Sequence, residues 1–162
     1  MTTAIYPGSF DPLTFGHIDI VERSSRLFDR VVMAIITNPQ KLPLFTAEER
    51  REIIREIVVT QFPNVEVDVF HGLLVDYAKR KKAQVIVRGI RAVTDYEYEF
   101  QMALMNRRLA PQIETVFMMP AENYSYLSSR LVKEIAELGG SVEGLVPKAV
   151  QERLKERFKK KP

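Results

Sequence analysis

Residues 4–17, Ala-Ile-Tyr-Pro-Gly-Ser-Phe-Asp-Pro-Leu-Thr-Phe-Gly-His, predict a strand, a turn and the start of a helix. The apolar residues 4–6 are typical of a short strand, which Pro7 and Gly8 end. Apolar residues then recur at roughly helical spacing at Ile18, Val21, Leu27 and Phe28. A strand followed by a shaped turn and a helix is the first half of a crossover connection.

Strands and helices continue to alternate along the rest of the chain. The continuous run at residues 31–37 is rich in β-branched residues and predicts a strand buried on both faces. Further strands are predicted at residues 65–70, 85–88 and 115–119, and further helices begin near Thr46, Leu73, Thr94, Ser128 and Pro147. Thr46 with Glu49, and Thr94 with Glu97, have the spacing of a capping box.

This alternation predicts the fold class. Right-handed crossovers between successive strands give an α/β protein with a doubly wound, five-stranded parallel sheet. The length of 162 residues fits one domain, so we expect residues 1–162 to form a single domain.

Composition restricts the classes of function. The chain has no cysteine, which excludes disulfides and thiolate metal sites. Its only histidines, His17 and His71, are far apart in sequence, so we predict no protein-held metal and take His71 as structural or surface. The longest apolar run, residues 31–36, is too short to span a bilayer, and no signal peptide is evident. We therefore expect a cytoplasmic protein that does not enter a membrane.

The positive charge is concentrated at the C-terminus. The formal net charge is +3, and Lys159, Lys160 and Lys161 stand together beside Pro162. The rest of the chain is balanced, which argues against a nucleic-acid partner. We interpret the basic segment at about 159–162 as a solvated tail, with weak membrane-surface or nucleic-acid affinity as the alternative.

The segments that follow the strands are the candidate functional site. In open parallel sheets, ligands bind beyond the carboxyl ends of the strands. Gly16 and His17 fall near a helix N-terminus, where N–H groups and the helix dipole favour phosphate, and a histidine ring can donate to the same anion. An isolated histidine there would usually be a surface residue. Here the strand, turn, glycine and histidine come in order, which favours a phosphate-binding role.

The order of motifs resembles the nucleotidylyltransferase superfamily, whose signature is a G-x-F-D-P turn followed by T-x-G-H. The corresponding residues here are Gly8-Ser9-Phe10-Asp11-Pro12 and Thr14-Phe15-Gly16-His17. Four further motifs extend the resemblance to the bacterial phosphopantetheine adenylyltransferases. They are Arg-Gly-Ile-Arg-Ala at 88–92, Asp-Tyr-Glu-Tyr-Glu at 95–99, Asn106-Arg107, and Ser-Ser-Arg-Leu-Val-Lys-Glu at 128–134. Two positions depart from that family. Phe15 stands where the family usually has asparagine, and Arg130 stands where it often has a third serine.

The resemblance implies a Rossmann-like nucleotidylyltransferase fold and a reaction. The adenylyl group of ATP would pass to 4′-phosphopantetheine, giving dephospho-coenzyme A and pyrophosphate, with Mg2+ bound mainly through the ATP phosphates. It also implies a homohexamer and feedback inhibition by coenzyme A. The alternatives are another nucleotidylyltransferase, such as a nicotinamide mononucleotide adenylyltransferase, or a non-catalytic nucleotide-binding regulator. The motifs at 88–99 argue against the first, and retention of His17, Lys41, Arg88 and Arg91 argues against the second.

The chemistry explains which residue types are needed. A phosphate monoester is largely dianionic at pH 7, so as a nucleophile it needs no general base. Catalysis can then depend on positioning and on cations or N–H donors around the α-phosphate. His17 would donate to the α-phosphate, Lys41 would bridge it to the acceptor phosphate, and Arg91 would contact the ATP phosphates. A solvated lysine is the ordinary alternative for Lys41.

The remaining site residues follow from the resemblance. ATP would contact Ser9, Phe10, His17, Gly89, Ile90, Arg91, Glu99, Tyr124, Ser125, Tyr126, Leu127, Ser128, Ser129 and Arg130. The acceptor would contact Ser9, Lys41, Leu73, Leu74, Arg88, Met102, Asn106 and Glu134, with Met105 nearby. Two of these assignments have structural alternatives. Glu99 is also suited to a salt bridge, and a helical stripe of Met and Tyr residues is more often part of a core.

Overall fold

The computed structural model describes residues 1–159, without the side chains of residues 93 and 94. Apart from Lys159, the predicted basic tail therefore lies outside the described residues. Strands and helices alternate as far as β5, in the order β1 (Thr3–Gly8), α1 (Phe15–Leu27), β2 (Arg30–Ile36), α2 (Ala47–Ile54), β3 (Val65–Phe70), α3 (Leu74–Arg80), β4 (Val85–Gly89), α4 (Val93–Leu109) and β5 (Glu114–Met118). Two helices then follow, α5 (Ser129–Glu137) and α6 (Lys148–Lys159).

The strands form one parallel five-stranded sheet in the order β3-β2-β1-β4-β5. Central β1 pairs with β2 from Thr3↔Arg30 to Gly8↔Ile35, and with β4 on its other side. The chain thus moves outward from β1 in one direction and then returns to build the other half. The predicted doubly wound parallel sheet is confirmed, and its switch point lies between the carboxyl ends of β1 and β4.

Each face of the sheet is covered by helices. Ile5 of β1 and Val32 of β2 pack with residues of α3 on one face. Their neighbours Ala4 and Val31 point to the other face, where α1, α2, α5 and α6 pack. Because both faces are buried, the central strands are continuously apolar rather than alternating.

One of the two predicted capping boxes forms. Thr46 Oγ1 accepts from Glu49 N–H at 3.2 Å, and Glu49 Oε2 accepts from Thr46 N–H at 2.7 Å. The second prediction is wrong, because α4 begins at Val93 after Ala92 in an extended conformation (φ −142°, ψ 163°). Thr94 therefore lies within the first turn, and the spacing of Thr94 and Glu97 is incidental.

The apolar stripe of α4 is not part of the core. Tyr98 is 63% exposed and Met105 is 51% exposed, and Met102 and Leu109 are also exposed. The interpretation of this stripe as core is wrong, since the apolar layer on that face is completed by α3 together with Ala110 and Ile113. Within residues 1–159, no helix has both the length and the apolar character needed to cross a membrane.

Candidate active site

A cleft of about 500 Å³ lies at the switch point of the sheet. Its lining comes from the turn after β1, the start of α1, the loop after β2, the segment after β4 and the turn before α5. Many of the predicted site residues meet there: Ser9, Phe10, His17, Lys41, Arg88, Gly89, Arg91, Glu99, Tyr124, Leu127, Ser128, Ser129 and Arg130.

Other predicted residues are not part of this lining. Three predicted ATP residues outside the lining, Ile90, Ser125 and Tyr126, belong to chain segments that contribute other residues to it. The predicted acceptor residues outside the lining are Leu73, Leu74, Met102, Asn106 and Glu134. Leu73 is exposed just before α3, whereas Asn106 is buried in α4. The structure thus gathers most of the predicted ATP residues into one cleft and leaves the predicted residues for the pantetheine arm outside it.

The turn after β1 is built around the ring of Phe10. This residue has a left-handed backbone (φ 48°), which is uncommon for a bulky side chain. Its buried ring meets those of Tyr6 and His17 edge-on, with centroids 5.3 and 5.0 Å away. A Cβ on Gly8 would lie 2.9 Å from Phe10 Cζ. Glycine is therefore required at position 8 for the ring to support His17.

The orientation and charge of His17 are set by its surroundings. Thr14 N–H donates to His17 Nδ1 at 3.0 Å, and Thr14 Oγ1 caps α1 by accepting from His17 N–H at 3.4 Å. Since Nδ1 accepts, the neutral ring carries its proton on Nε2. Burial, reinforced by the positive charge of Arg91, lowers the pKa of His17 to about 4. At pH 7 the ring is neutral and suited to donate a hydrogen bond from Nε2.

Arg88 is held in place at the end of β4. Its Nε and Nη2 donate to Glu99 Oε2 at 2.8 Å and Oε1 at 2.5 Å, and Nη1 donates to the Pro7 carbonyl at 3.0 Å. Burial opposes the charge, but the hydrogen bonds and charge of Glu99 outweigh it and raise the pKa of Arg88. The salt-bridge alternative for Glu99 is thus realised, and the pair places a fixed cation in the cleft.

Two further cations lie around the cleft. Arg91 Nη1 donates to the Leu127 carbonyl at 2.8 Å, and its Nε lies 3.4 Å from the Asp95 carboxylate. Arg91 therefore joins the segment after β4 to the turn before α5. Lys41 lines the cleft from the loop after β2 and is exposed.

The N-terminus of α5 completes the cleft. Ser128 is the N-cap and accepts from Leu131 N–H at 3.1 Å, while Ser129 Oγ donates to the Pro12 carbonyl at 2.7 Å. The first turn of α5 carries no acidic residue. Its N–H groups and the helix dipole therefore favour an anion. Arg130 lines the cleft and pairs with Glu134 at 3.0 Å.

Asp11 is a site-organising residue that sequence reasoning did not single out. Its buried carboxylate accepts from Leu44 N–H at 2.8 Å and Phe45 N–H at 2.9 Å, and it lies 3.2 Å from Lys133 Nζ. It thus ties the loop that carries Lys41, and helix α5, to the first turn. Its presence in the G-x-F-D-P motif was the one available signal.

Phe15, which stands where the family usually has asparagine, has a packing role in this structure. Its ring stacks on that of Tyr124, with centroids 6.1 Å apart and planes at 25°. Tyr124 lines the cleft, so Phe15 supports one wall of it.

Comparisons with known proteins identify the family of this chain. Residues 5–135 match the cytidylyltransferase-like family. A phosphopantetheine adenylyltransferase of Caldanaerobacter subterraneus subsp. tengcongensis is 56% identical over 160 residues, covering 99% of each chain. The chain belongs to the phosphopantetheine adenylyltransferase family. A second member, from Carboxydothermus hydrogenoformans, is 54% identical over 99% of this chain and 98% of its own length.

A more distant solved structure shares the fold. It is described as a nicotinate-nucleotide adenylyltransferase from Vibrio parahaemolyticus and superposes with a TM-score of 0.74, covering 100% of this chain and 98% of that one. Its 16% sequence identity supports likeness of fold alone. The resemblance inferred from the sequence motifs is thus confirmed at the level of the family and of the fold.

Proposed function

We propose that this chain transfers the adenylyl group of ATP to 4′-phosphopantetheine, giving dephospho-coenzyme A and pyrophosphate. The observation that carries the proposal is the cleft at the switch point, where His17, Lys41, Arg88 and Arg91 converge on the N-terminus of α5. Every one of these groups donates N–H bonds, as a site for several phosphates requires. Family membership supplies the identity of the two substrates.

The transfer is a displacement at the α-phosphorus. An oxygen of the acceptor phosphate forms a bond to that phosphorus, the bond to the α,β-bridging oxygen breaks, and pyrophosphate leaves with its electron pair. Arg88 holds the acceptor phosphate, and Lys41 bridges it to the α-phosphate. His17 donates from Nε2 to an α-phosphate oxygen, where charge shifts in the transition state. No general base is needed, and His17 is not arranged as one because Nδ1 already accepts from Thr14.

The β- and γ-phosphates belong at the N-terminus of α5, with Arg91 beside them. Magnesium enters with ATP as part of the substrate. Among residues 1–159, no cluster of three or more metal-binding side chains could hold an ion. The cleft carboxylates Asp95 and Glu99 are paired with Arg91 and Arg88. We therefore assign Mg2+ to phosphate oxygens and water, which it prefers as ligands.

The assembly and regulation implied by the sequence are also proposals. The exposed apolar side chains of α4, including Tyr98 and Met105, support self-association into a homohexamer, since large exposed apolar surfaces mark interaction sites. A neighbouring subunit in such an assembly would complete the surroundings of Met102 and Asn106 for the pantetheine arm. Coenzyme A carries the same arm as the acceptor, which supports its role as a feedback inhibitor. We retain the single-domain organisation and cytoplasmic location as predictions.

The acceptor is tested by pyrophosphate release from ATP with a panel of phosphorylated compounds. We expect release with 4′-phosphopantetheine, with dephospho-coenzyme A found by mass spectrometry. Nicotinamide mononucleotide and glycerol 3-phosphate should support none above a reaction without acceptor. Equal rates with nicotinamide mononucleotide would contradict the assignment.

A further inference from the structure

Arg50 is a buried cation that the mechanism above does not use. It belongs to α2 and is only 4% exposed. Its guanidinium donates to backbone carbonyls, from Nη1 to Ser9 at 2.7 Å and to Ile36 at 3.5 Å, and from Nε to Thr46 at 3.3 Å. Within the described part of the chain, no carboxylate lies within 4.0 Å of it. An arginine buried in this way has a desolvation cost that its surroundings must offset.

The contacts of Arg50 place it behind the turn that forms the cleft. Ile36 is the last residue of β2, and Ser9 directly follows β1. Ser9 and Phe10 line the cleft, whereas Arg50 does not. The guanidinium therefore holds the turn from the side away from the cleft.

This contact fixes the direction of one peptide group. The Ser9–Phe10 peptide is planar and trans, so its carbonyl and its N–H point in opposite directions. Because Arg50 holds the Ser9 carbonyl, the N–H of Phe10 points away from Arg50. Among residues 1–159, Phe10 N–H has no acceptor. A backbone N–H without a partner, on a residue that lines the cleft, is a ready donor to a ligand oxygen.

We propose that Arg50 is a positioning residue that turns the Ser9–Phe10 peptide so that Phe10 N–H donates to a phosphate oxygen of ATP. The left-handed backbone of Phe10 (φ 48°) is the conformation that the turn must keep for this. Arg50 itself touches neither substrate. The inference rests on the proposed adenylyl transfer and adds to it Arg50 as the group that orients a donor to ATP.

The first test replaces Arg50 by methionine, which keeps the length of the side chain but removes its donors. Arg50→Lys keeps the charge and one donor group. The matched control is Arg51→Met on the same helix, since Arg51 contacts Glu48 at 3.4 Å and not the turn.

We expect Arg50→Met to lower kcat and the affinity for α,β-methylene-ATP by about 10-fold or more, with Arg50→Lys intermediate and Arg51→Met unchanged. The KM for 4′-phosphopantetheine should change less than about 3-fold. Wild-type kcat in folded Arg50→Met would overturn the proposal.

The second test removes the donor and leaves the Arg50 side chain in place. An ester in place of the Ser9–Phe10 amide deletes the Phe10 N–H and leaves both side chains in place. We expect kcat to fall by about 10²-fold, as for other donors to transition-state charge. Adding Arg50→Met to the ester should lower kcat much less than it does in the all-amide protein, because the two changes remove the same interaction. Wild-type kcat in the ester protein, or full additivity of the two losses, would overturn the proposal.

Failure of the proposed adenylyl transfer and failure of the proposed role of Arg50 give different results. If adenylyl transfer is wrong, the unmodified protein itself releases no pyrophosphate with 4′-phosphopantetheine. If only the role of Arg50 is wrong, the unmodified protein is active, and the Arg50→Met and ester proteins match it.

Discussion

The backbone N–H of Thr14 donates to Nδ1 of His17 at 3.0 Å. Thr14 is also the N-cap of α1 and accepts from the backbone N–H of His17. One residue thus begins the helix and selects the tautomer of the histidine. The Nε2 proton is left for a ligand at the helix N-terminus, where the dipole favours the same anion.

The low pKa of His17 predicts a pH dependence of stability. Burial lowers this pKa from 6.5 to about 4, so between these values the unfolded chain binds more protons than the folded one. The free energy of unfolding should therefore fall as the pH drops from 6.5 towards 4. His17 contributes to this pH dependence through a difference of at most about one bound proton between the unfolded and folded states, and in His17→Gln that contribution should vanish. Denaturant unfolding at several pH values measures it, and an unchanged slope in the variant would count against a ring that is held neutral in the folded protein.

Gly8→Ala should disturb the turn. The new Cβ would lie 2.9 Å from Phe10 Cζ, and that ring is confined by Tyr6 and His17. We expect a loss of about 1–3 kcal/mol in the free energy of unfolding, together with lower kcat. Gly16→Ala is the control for stability, because its Cβ would meet nothing closer than Thr14 Oγ1 at 3.5 Å. Equal stability of the two variants in thermal melts would refute the packing argument.

Arg88→Ala should mainly weaken binding of the acceptor. The lost charge-assisted contact corresponds to about 1.5–3 kcal/mol, so the KM for 4′-phosphopantetheine should rise about 10- to 100-fold. Lys41→Ala should lower kcat as well, because Lys41 also faces the α-phosphate. Arg26→Ala on the exposed face of α1 serves as the control. Initial rates at varied concentrations of both substrates check this, and an Arg88→Ala protein impaired only in ATP binding would reverse the assigned roles.

Asp11→Asn should loosen the loop that carries Lys41. An amide can accept from only one of the two N–H groups of Leu44 and Phe45 in the present geometry, and it loses the charge opposite Lys133. We expect about 1–3 kcal/mol less stability and a lower kcat. Asp29→Asn, which alters a contact to Thr2 N–H, should keep full activity. Wild-type kcat and melting temperature in Asp11→Asn would show that this anchor is dispensable.

The order of elements was predictable because its signals are local. The β-branched run at 31–37 and the Thr46 capping box depend on neighbouring residues, and both correspond to elements of the structure. The sequence left open whether the apolar stripe of α4 belongs to the core or to a binding surface, because periodicity shows that a helix face is apolar but not what covers it. The predicted helix start at Thr94 was wrong because a short sequence pattern cannot show where the backbone leaves its extended conformation.

Much of the cleft was also predictable, because ligand sites follow strand ends and the motifs there are contiguous. The supports behind it were not. Asp11 reaches Leu44 across 33 positions, and Arg50 reaches Ser9 across 41. Each is an ordinary polar residue in the sequence, and only the folded backbone brings its partners within hydrogen-bond distance.

The most direct test of the account is kcat for His17→Ala, measured with ATP and 4′-phosphopantetheine alongside a thermal melt. If His17 donates to charge that shifts at the α-phosphate, kcat should fall by about 10²–10³, with little change in ATP binding and in the melting temperature. A structural histidine would instead give a lower melting temperature with near-normal turnover in the folded fraction. Near-normal kcat in well-folded His17→Ala would contradict the central claim that its Nε2 proton stabilises the transition state.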